Sequence, residues 1–529
     1  LKIRIIIFSV CVAAFISKTA SAQFDTLDYA NEEKNLFLTE NASFLCGVNI
    51  PAVSSAEFFL NGFNGGFKNY YEGNGSLNFG FKVRSLYRFS DRVSAYGEIS
   101  YEDFNTKSAT GSVFFSPQET PFDILEQADT NAGKKKSEVY KITGAVSAKV
   151  WKKLSAGARF CYTAANYAKL KDLRCQNSLM DLTCTIGIDY DFGVIKPGAN
   201  YFYRRRNESL LFSTHGTADR NYNSIISYGC FLGLREEFGD AGFTNGAKQI
   251  PLFDDYFGGG LQFLTRITDN LKFFCETSLQ KRTGSYGKKS QYTTEFTTHN
   301  GKNLSSNGSL FFKVKNIQHA LAYGLKYSKT DCYMNIYLTR TFDGGLSDYV
   351  YYGKTKISGK EYKALNIRYQ CIFSGSKKSV FKTETGTEFF GRNSYAVKYP
   401  FWRKQYLKSR EFFASIQNTR TLSSEKEVVF SLGFSMKKGS GKPYTDGIFT
   451  KNETLNEFPA TQEKFLMQEY EFLCKPQIKA ASGVKFSQKI FSGRIKGFIS
   501  ANSQITMAKN TNFSNGKRLF TEIKTGAIF

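Results

Sequence analysis

Segments whose side chains alternate between apolar and polar, joined by connections that are by turns short and long, constrain this chain more than any other feature. In the segment 92–101, Val93, Ala95, Gly97, Ile99 and Tyr101 fall on one face, with Arg92, Ser94, Tyr96, Glu98 and Ser100 on the other. The segment 154–162 repeats the pattern, with Leu154, Ala156, Ala158, Phe160 and Tyr162 opposing Ser155, Gly157, Arg159 and Cys161. A third example, 494–505, sets Ile495, Gly497, Ile499, Ala501 and Ile505 against Arg494, Lys496, Ser500, Asn502 and Gln504. Such two-residue periodicity is that of β-strands. Segments of about 11 to 15 residues exceed the usual five or six of a soluble strand and match a tilted bilayer crossing.

Short polar connections are predicted at Ser90-Asp91, Lys152-Lys153, Asp191, Thr268-Asp269-Asn270, Asn316-Ile317-Gln318, Ser358-Gly359-Lys360 and Ser492-Gly493. Between them lie polar stretches near 105–137, 167–177, 207–221, 283–303, 332–346, 439–462 and 508–515. Short turns on one rim and long loops on the other are the pattern of an outer-membrane barrel, the short turns facing the periplasm. Counting segments predicts about 18 strands, within a range of 16 to 20. Parity adds a constraint. If Asp191 and Thr268–Asn270 share a rim, one of the three segments 193–206, 222–235 and 256–267 leaves the wall. The reading places 222–235 in a loop hairpin, and Arg392 to Lys404 is a second place where a crossing can hide.

Composition agrees with an all-β chain. Phe 51, Tyr 31 and Gly 45 are set against Pro 9, a balance that favours long antiparallel strands. Beyond residue 22 no run of 18 apolar residues occurs, which excludes a helical membrane protein. A mean hydropathy of −0.35 is compatible with a barrel, because only alternate residues face lipid.

Lys2 and Arg4 precede an apolar run from Ile5 to Ile16, and Ala20-Ser21-Ala22 stands ahead of Gln23. Residues 1–22 therefore read as a secretory signal peptide. At the other end, Leu519, Thr521, Ile523, Thr525, Ala527 and Phe529 alternate with Arg518, Phe520, Glu522, Lys524 and Gly526. An exported chain whose final strand stops on an aromatic residue resembles the substrates of the barrel-assembly machinery, with Phe529 as the assembly signal. The organisation expected is a signal peptide (1–22), an amino-terminal segment (23–74) acting as plug or rim cap, and a barrel (75–529). Within 23–74, residues 31–38 read as a short helix and Phe63 to Tyr71 as a first strand.

The formal net charge of +25 falls to +22 once Lys2, Arg4 and Lys18 leave with the signal. Outside the cytoplasm this argues for lipid phosphates, lipopolysaccharide or anionic cargo rather than nucleic acid. Of ten cysteines, Cys11 lies in the signal. The other nine form no CxxC pair and read mostly as small apolar side chains, with Cys175 and Cys184 the one pair considered for a bridge.

The stretch from Leu38 to Gly47, the strand pair from Phe79 to Tyr101, and the run Ala199 to Glu208 carry a family resemblance. Together they resemble an uncharacterised family of outer-membrane β-barrels from Bacteroidota, encoded beside TonB-dependent receptors and surface lipoproteins. Where that family begins with an Asn-Pro-Ala-containing start, this chain has Glu40-Asn41-Ala42. The resemblance implies a barrel working beside an uptake system, with a TonB-dependent receptor and surface lipoproteins as partners, and supplies no catalytic residues.

Candidate sites are few. Arg204, Arg205 and Arg206 end a strand near the outer rim as an anion or lipid contact, with Arg205 pointing opposite to its neighbours. Tyr333, Tyr337, Tyr349, Tyr351 and Tyr352 concentrate around one long loop, as a membrane-interface girdle or a stacking surface for a ligand. Only three histidines occur, His215, His299 and His319, and none belongs to a metal or nucleotide motif. His299 is expected outside, where Ser285 and Ser290 are the serines a hydrolase would use, though their spacing does not favour it. The expectation is a non-enzymatic outer-membrane barrel without a cofactor. It would be an accessory component of TonB-dependent uptake or a passive channel, and alternatively a structural or secretion-associated scaffold binding surface lipoproteins. An outer-membrane enzyme is the third reading.

Overall fold

A computed structural model describes residues 39–48, 52–126, 132–214, 222–238, 250–290, 293–341, 347–376, 379–450, 458–490 and 495–529. The expected signal peptide, the helix expected at 31–38, His215 and the Ser492-Gly493 turn lie outside them.

After a 3-10 turn, Ala42–Gly47, come β1 (Ala52–Asn64), β2 (Gly75–Arg88), β3 (Val93–Ala109), β4 (Asp123–Glu126), β5 (Gly133–Lys149), β6 (Leu154–Lys169), β7 (Arg174–Tyr190) and β8 (Ile195–Ser213). Next are β9 (Tyr222–Gly229), β10 (Leu232–Phe238), β11 (Ile250–Thr268), β12 (Leu271–Gly287), β13 (Glu295–Val314), β14 (Ile317–Thr341), β15 (Ser347–Ser376) and β16 (Ser379–Lys398). The chain ends with β17 (Phe401–Ser423), β18 (Lys426–Ile448), β19 (Ala460–Thr461), helix α1 (Glu463–Cys474), β20 (Gln477–Ile490), β21 (Ile495–Ala508) and β22 (Lys517–Ile528).

Eighteen of these strands form one antiparallel sheet, in which each wall strand pairs with the next and β22 returns to β1. Closure leaves no unpaired edge, the condition a bilayer imposes on a sheet. Backbone bonds between Ser54 and Phe529, 2.7 and 2.9 Å, complete the seam. An even, closed barrel places the protein in the outer membrane. Both ends of the wall lie on the rim of short turns, beside Phe89 to Arg92.

The parity argument holds. β9 and β10 make a hairpin outside the wall, and with β4 and β19 they form a separate four-stranded sheet in the order β19-β10-β9-β4. A crossing is hidden at Arg392 to Lys404, where β16 turns into β17 at Tyr399-Pro400. Other details differ from expectation. The first wall strand is Ala52–Asn64, and residues 65–74 connect it to β2. Ser358-Gly359-Lys360 lies within β15 rather than at a turn. Much of 283–303, 332–346 and 439–462 is strand, because β12 to β18 continue well past the bilayer, where both faces are polar and alternation fades. Cys175 and Cys184 lie on opposite faces of β7 and both are free thiols.

Alternation sorts the wall cleanly. Phe58, Ile99, Ile186, Leu261, Phe412 and Ile523 face outward and are about half exposed, as a lipid-facing band requires. Their neighbours Glu57, Glu98, Thr185, Gln262, Glu411 and Glu522 face the lumen.

Candidate functional site

The lumen is occupied from both rims by the chain's own segments. From the long-loop rim, the connections β3–β5, β8–β11 and β18–β20 contribute β4, the β9–β10 hairpin, β19 and α1. Val113, Phe114, Phe122, Ile226 and Tyr228 from these insertions pack on inward wall residues Leu210, Phe212, Leu252, Tyr286 and Ala396, forming one buried core inside the barrel.

Charged hydrogen bonds fix the insertions to the wall. Arg206 of β8 donates to Glu119 at 2.5 Å, and Glu208 accepts from the Phe115 amide at 2.7 Å and from Asn177 at 2.7 Å. Arg282 donates to both oxygens of Asp254, 2.6 and 2.8 Å, and to the carbonyl of Glu119 at 2.8 Å. Lys135 and Lys169 of the wall pair with Glu126 of β4. On the far side Arg392 of β16 holds Glu469 of α1 through two bonds, 2.8 and 2.5 Å. Arg403 binds Asp446 at 2.7 and 2.8 Å and reaches Thr461 of β19 at 2.6 Å. Glu471 of α1 accepts from the amides of Asn512 and Phe513 and from Ser514, tying in the β21–β22 connection. Arg–carboxylate forks suit such anchoring because their paired donors match a carboxylate in both distance and plane.

Asp123 of β4 is buried between the Tyr70 hydroxyl, 2.9 Å away, and the Ser112 hydroxyl, 2.6 Å away. Burial raises its carboxyl to about 7, against the pull of these two donors, the Ile124 amide and the charge of Lys135.

At the short-turn rim, residues 39–48 lie against β3, β5, β6 and β7. Asn41 donates to the carbonyls of Ile188 and Ala199, at 3.1 and 3.2 Å, and to Gln262 at 2.9 Å. Its side-chain oxygen accepts from the amide and hydroxyl of Ser43, capping the turn. Thr39 donates to Glu276 at 2.8 Å. Glycines at 157, 187 and 198 make room for this close approach, since a Cβ at each would meet Ser43, Asn41 or Phe44 within 2.5 Å. Phe44 is fully buried and meets Phe274 edge-on at 6.3 Å.

Between the two insertions, open space remains along the β13–β22 side. One chamber of about 540 Å³ is lined by Asn307, Tyr323, Lys326, Arg368, Glu388 and, from α1, Leu473. A second, nearer the short turns and about 300 Å³, is lined by Glu57, Arg84, Gln417, Ser500, Asn502 and Lys524. Some lumenal bases pair with acids: Lys82 lies 3.0 Å from Glu98, Lys479 2.7 Å from Glu411, and Lys496 2.7 Å from Glu427. Bases still outnumber acids along the chambers, with Arg84, Lys326, Arg368, Lys437, Lys485 and Lys524 against Glu57, Glu388 and Glu411.

The arginine run divides by face. Arg204 turns inward onto Asp181, 2.8 and 2.6 Å, with its guanidinium over the Tyr256 ring at 5.0 Å. Arg206 is inward and buried, while Arg205 is exposed on the outer face. The tyrosines stand on the projecting parts of β14 and β15 rather than on a loop. Tyr337 packs against Tyr349 and Tyr351 at 5.8 and 5.5 Å, Lys354 lies over Tyr333 at 4.9 Å, and Tyr352 faces out. Tyr333 is sixteen residues beyond the start of β14, past the 9–11 or so that span a bilayer, so these rings sit above the headgroups. Phe529 forms the seam with β1.

The serine–histidine arrangement is not assembled. His299 is in β13, inside the wall and buried, bonded to Asp254 at 2.7 Å. Ser285 faces the other side of the wall, and Ser290 pairs with Thr293 at 2.6 Å. Among the described residues no group of three His, Cys, Asp or Glu side chains is placed to hold a metal.

The closed, even wall with a lipid-facing apolar band and a self-filled lumen defines an outer-membrane β-barrel. Residues 43–529 match the family of unknown function DUF6850, and the chain belongs to that family. No curated protein matches the chain. Among solved structures it is similar to the ferric preacinetobactin receptor BauA from Acinetobacter baumannii, with 9% identity, 90% of this chain and 80% of that one covered, and a TM-score of 0.43. The siderophore receptor PirA from the same organism gives 10% identity, 90% and 80% coverage and a TM-score of 0.37. The CymD monoaromatic hydrocarbon channel gives 9%, 94% and 93%, and 0.30. Identities this low leave the functional reading to the chain's own geometry.

Proposed function

We propose that this barrel is a non-catalytic, transport-related outer-membrane protein whose lumen is a closed conduit for small polar solutes. It would serve as an accessory to a TonB-dependent uptake system. The observation that supports this most directly is the pair of chambers along β13–β22, polar and with bases in excess of acids, left open beside the insertions. Leu473 lines the larger one, so α1 stands where a gate would act, held by the Arg392–Glu469 fork. The partners, a TonB-dependent receptor and surface lipoproteins, follow from the sequence resemblance. Arg205, exposed on the outer face, is the member of its triplet we assign to lipid phosphate, and the projecting tyrosines to a partner or glycan.

The filling of both rims favours a second reading, a scaffold with a sealed lumen that presents its outer sheet to a lipoprotein. Swelling of liposomes containing the barrel in small neutral sugars separates the two. A closed wild type and a permeable Glu469→Ala variant, in which Arg392 is left buried without its partner, are expected of the conduit. A variant that inserts and remains impermeable would establish the scaffold.

A further inference from the structure

We propose that the outer face of β14–β18 binds an acylated glycolipid carrying more than one phosphate, the chemistry of an outer-leaflet lipopolysaccharide anchor. A groove of about 1520 Å³ runs along this face, larger than the roughly 300–1,000 Å³ of small-molecule clefts. Its floor is apolar, from Leu325, Ile367, Phe412, Phe434, Met436 and Ile478, all more than a third exposed. Directly above lie Lys408, Arg410 and Lys438, with Lys363 and Lys509 at the flanks.

Height places these bases at the outer headgroups. Arg410 is thirteen residues from the short-turn end of β17, and Lys438 twelve from that of β18. A crossing takes about 9–11.

Register shows that the cluster lacks its counter-charge. Arg410 and Lys438 are direct cross-strand partners, and like charges in that relation repel. Neither they nor Lys408 forms an ion pair with a carboxylate among the described residues. Arg410 rests over Phe389 at 5.0 Å and Lys408 over Tyr406 at 4.7 Å. Two acids nearby on this face are each taken by another base, Glu361 by Lys363 at 3.0 Å and Asp331 by Lys356 at 2.9 Å. Bases stand elsewhere on the outer face at this height, as in the cross-strand set Lys281, Lys302 and Lys329, but the apolar groove is lined by Lys408, Arg410 and Lys438 and by none of those three. Separate cations one strand apart (about 5 Å) or two residues apart (about 6.6 Å) suit a headgroup with separated phosphates, and the groove below suits its chains.

Native mass spectrometry of the full barrel in mild detergent tests this, with diphosphorylated lipid A, its dephosphorylated form and phosphatidylglycerol as probes. Diphosphorylated lipid A is expected to be retained at least tenfold better than either other lipid. Arg410→Gln/Lys438→Gln is expected to abolish that preference, while Arg410→Lys keeps it. In lipid-free detergent the double Gln variant should melt no lower than wild type, because repulsion is removed. Equal retention of the three lipids, or a preference unchanged in the double variant, would overturn the proposal. This site is on the outside of the wall, so the result stands apart from whether the lumen conducts.

Discussion

Single residues hold the insertions in place, and two are tractable. Asn41 satisfies two wall carbonyls and Gln262 while capping its own turn. Asn41→Ala leaves buried partners unpaired, at about 1–3 kcal/mol. Hydrogen exchange over 39–48 is expected to accelerate with the wall unchanged; unaltered protection would mean the glycine cradle alone seats the segment. Asp123 carries a pH dependence. Its carboxyl is raised from 3.8 to about 7 in the fold, so between these values the folded protein keeps a proton that the unfolded chain releases. Seating of β4 is strongest below 3.8 and weakens as pH rises through about 7, where a carboxylate must be buried beside Tyr70 and Ser112. Lys135 offsets part of that charge from the wall. With the intrinsic rise of amide exchange with pH divided out, protection of 112–126 should be lower at pH 8 than at pH 6, and Asp123→Asn should remove the difference. A difference that persists in the variant would assign it elsewhere.

Elements were legible where lipid enforces alternation. Wall segments such as 92–101 and 154–162, and short turns such as Ser90-Asp91 and Lys152-Lys153, could be read from residues because each position has one solvent and one lipid alternative. Parity then removed 222–235 from the wall. The upper halves of β12 to β18 were not legible, since both faces are polar above the headgroups and strand resembles loop. His299 illustrates the consequence: polar neighbours suggested a surface loop, while the register buries it against Asp254. The insertion anchors were also hidden, because Arg282, Arg392 and Arg403 meet carboxylates from distant parts of the sequence. At this scale the terminal strand has its own test. Deleting Phe529 removes part of the β22–β1 seam and making it Asp replaces the terminal aromatic ring with a charge, and each is expected to lower outer-membrane insertion several-fold. An equivalent change at an exposed position of 105–137 should do so far less. Equal membrane levels of the two variants would dissociate the seam from assembly.

The molecule as a whole is an outer-membrane wall filled by its own loops, which charged hydrogen bonds hold to its inner face. Removing one partner of a buried Arg–carboxylate fork costs about 3–5 kcal/mol, enough to release α1 without opening the eighteen-stranded wall. Single-channel recording in planar bilayers tests this account most directly. Wild type is expected to be silent and Glu469→Ala, which leaves Arg392 without its partner, to give discrete openings that prefer anions, since bases outnumber acids along the chambers. A wild type that conducts steadily, as an unfilled barrel of this size would, contradicts the account.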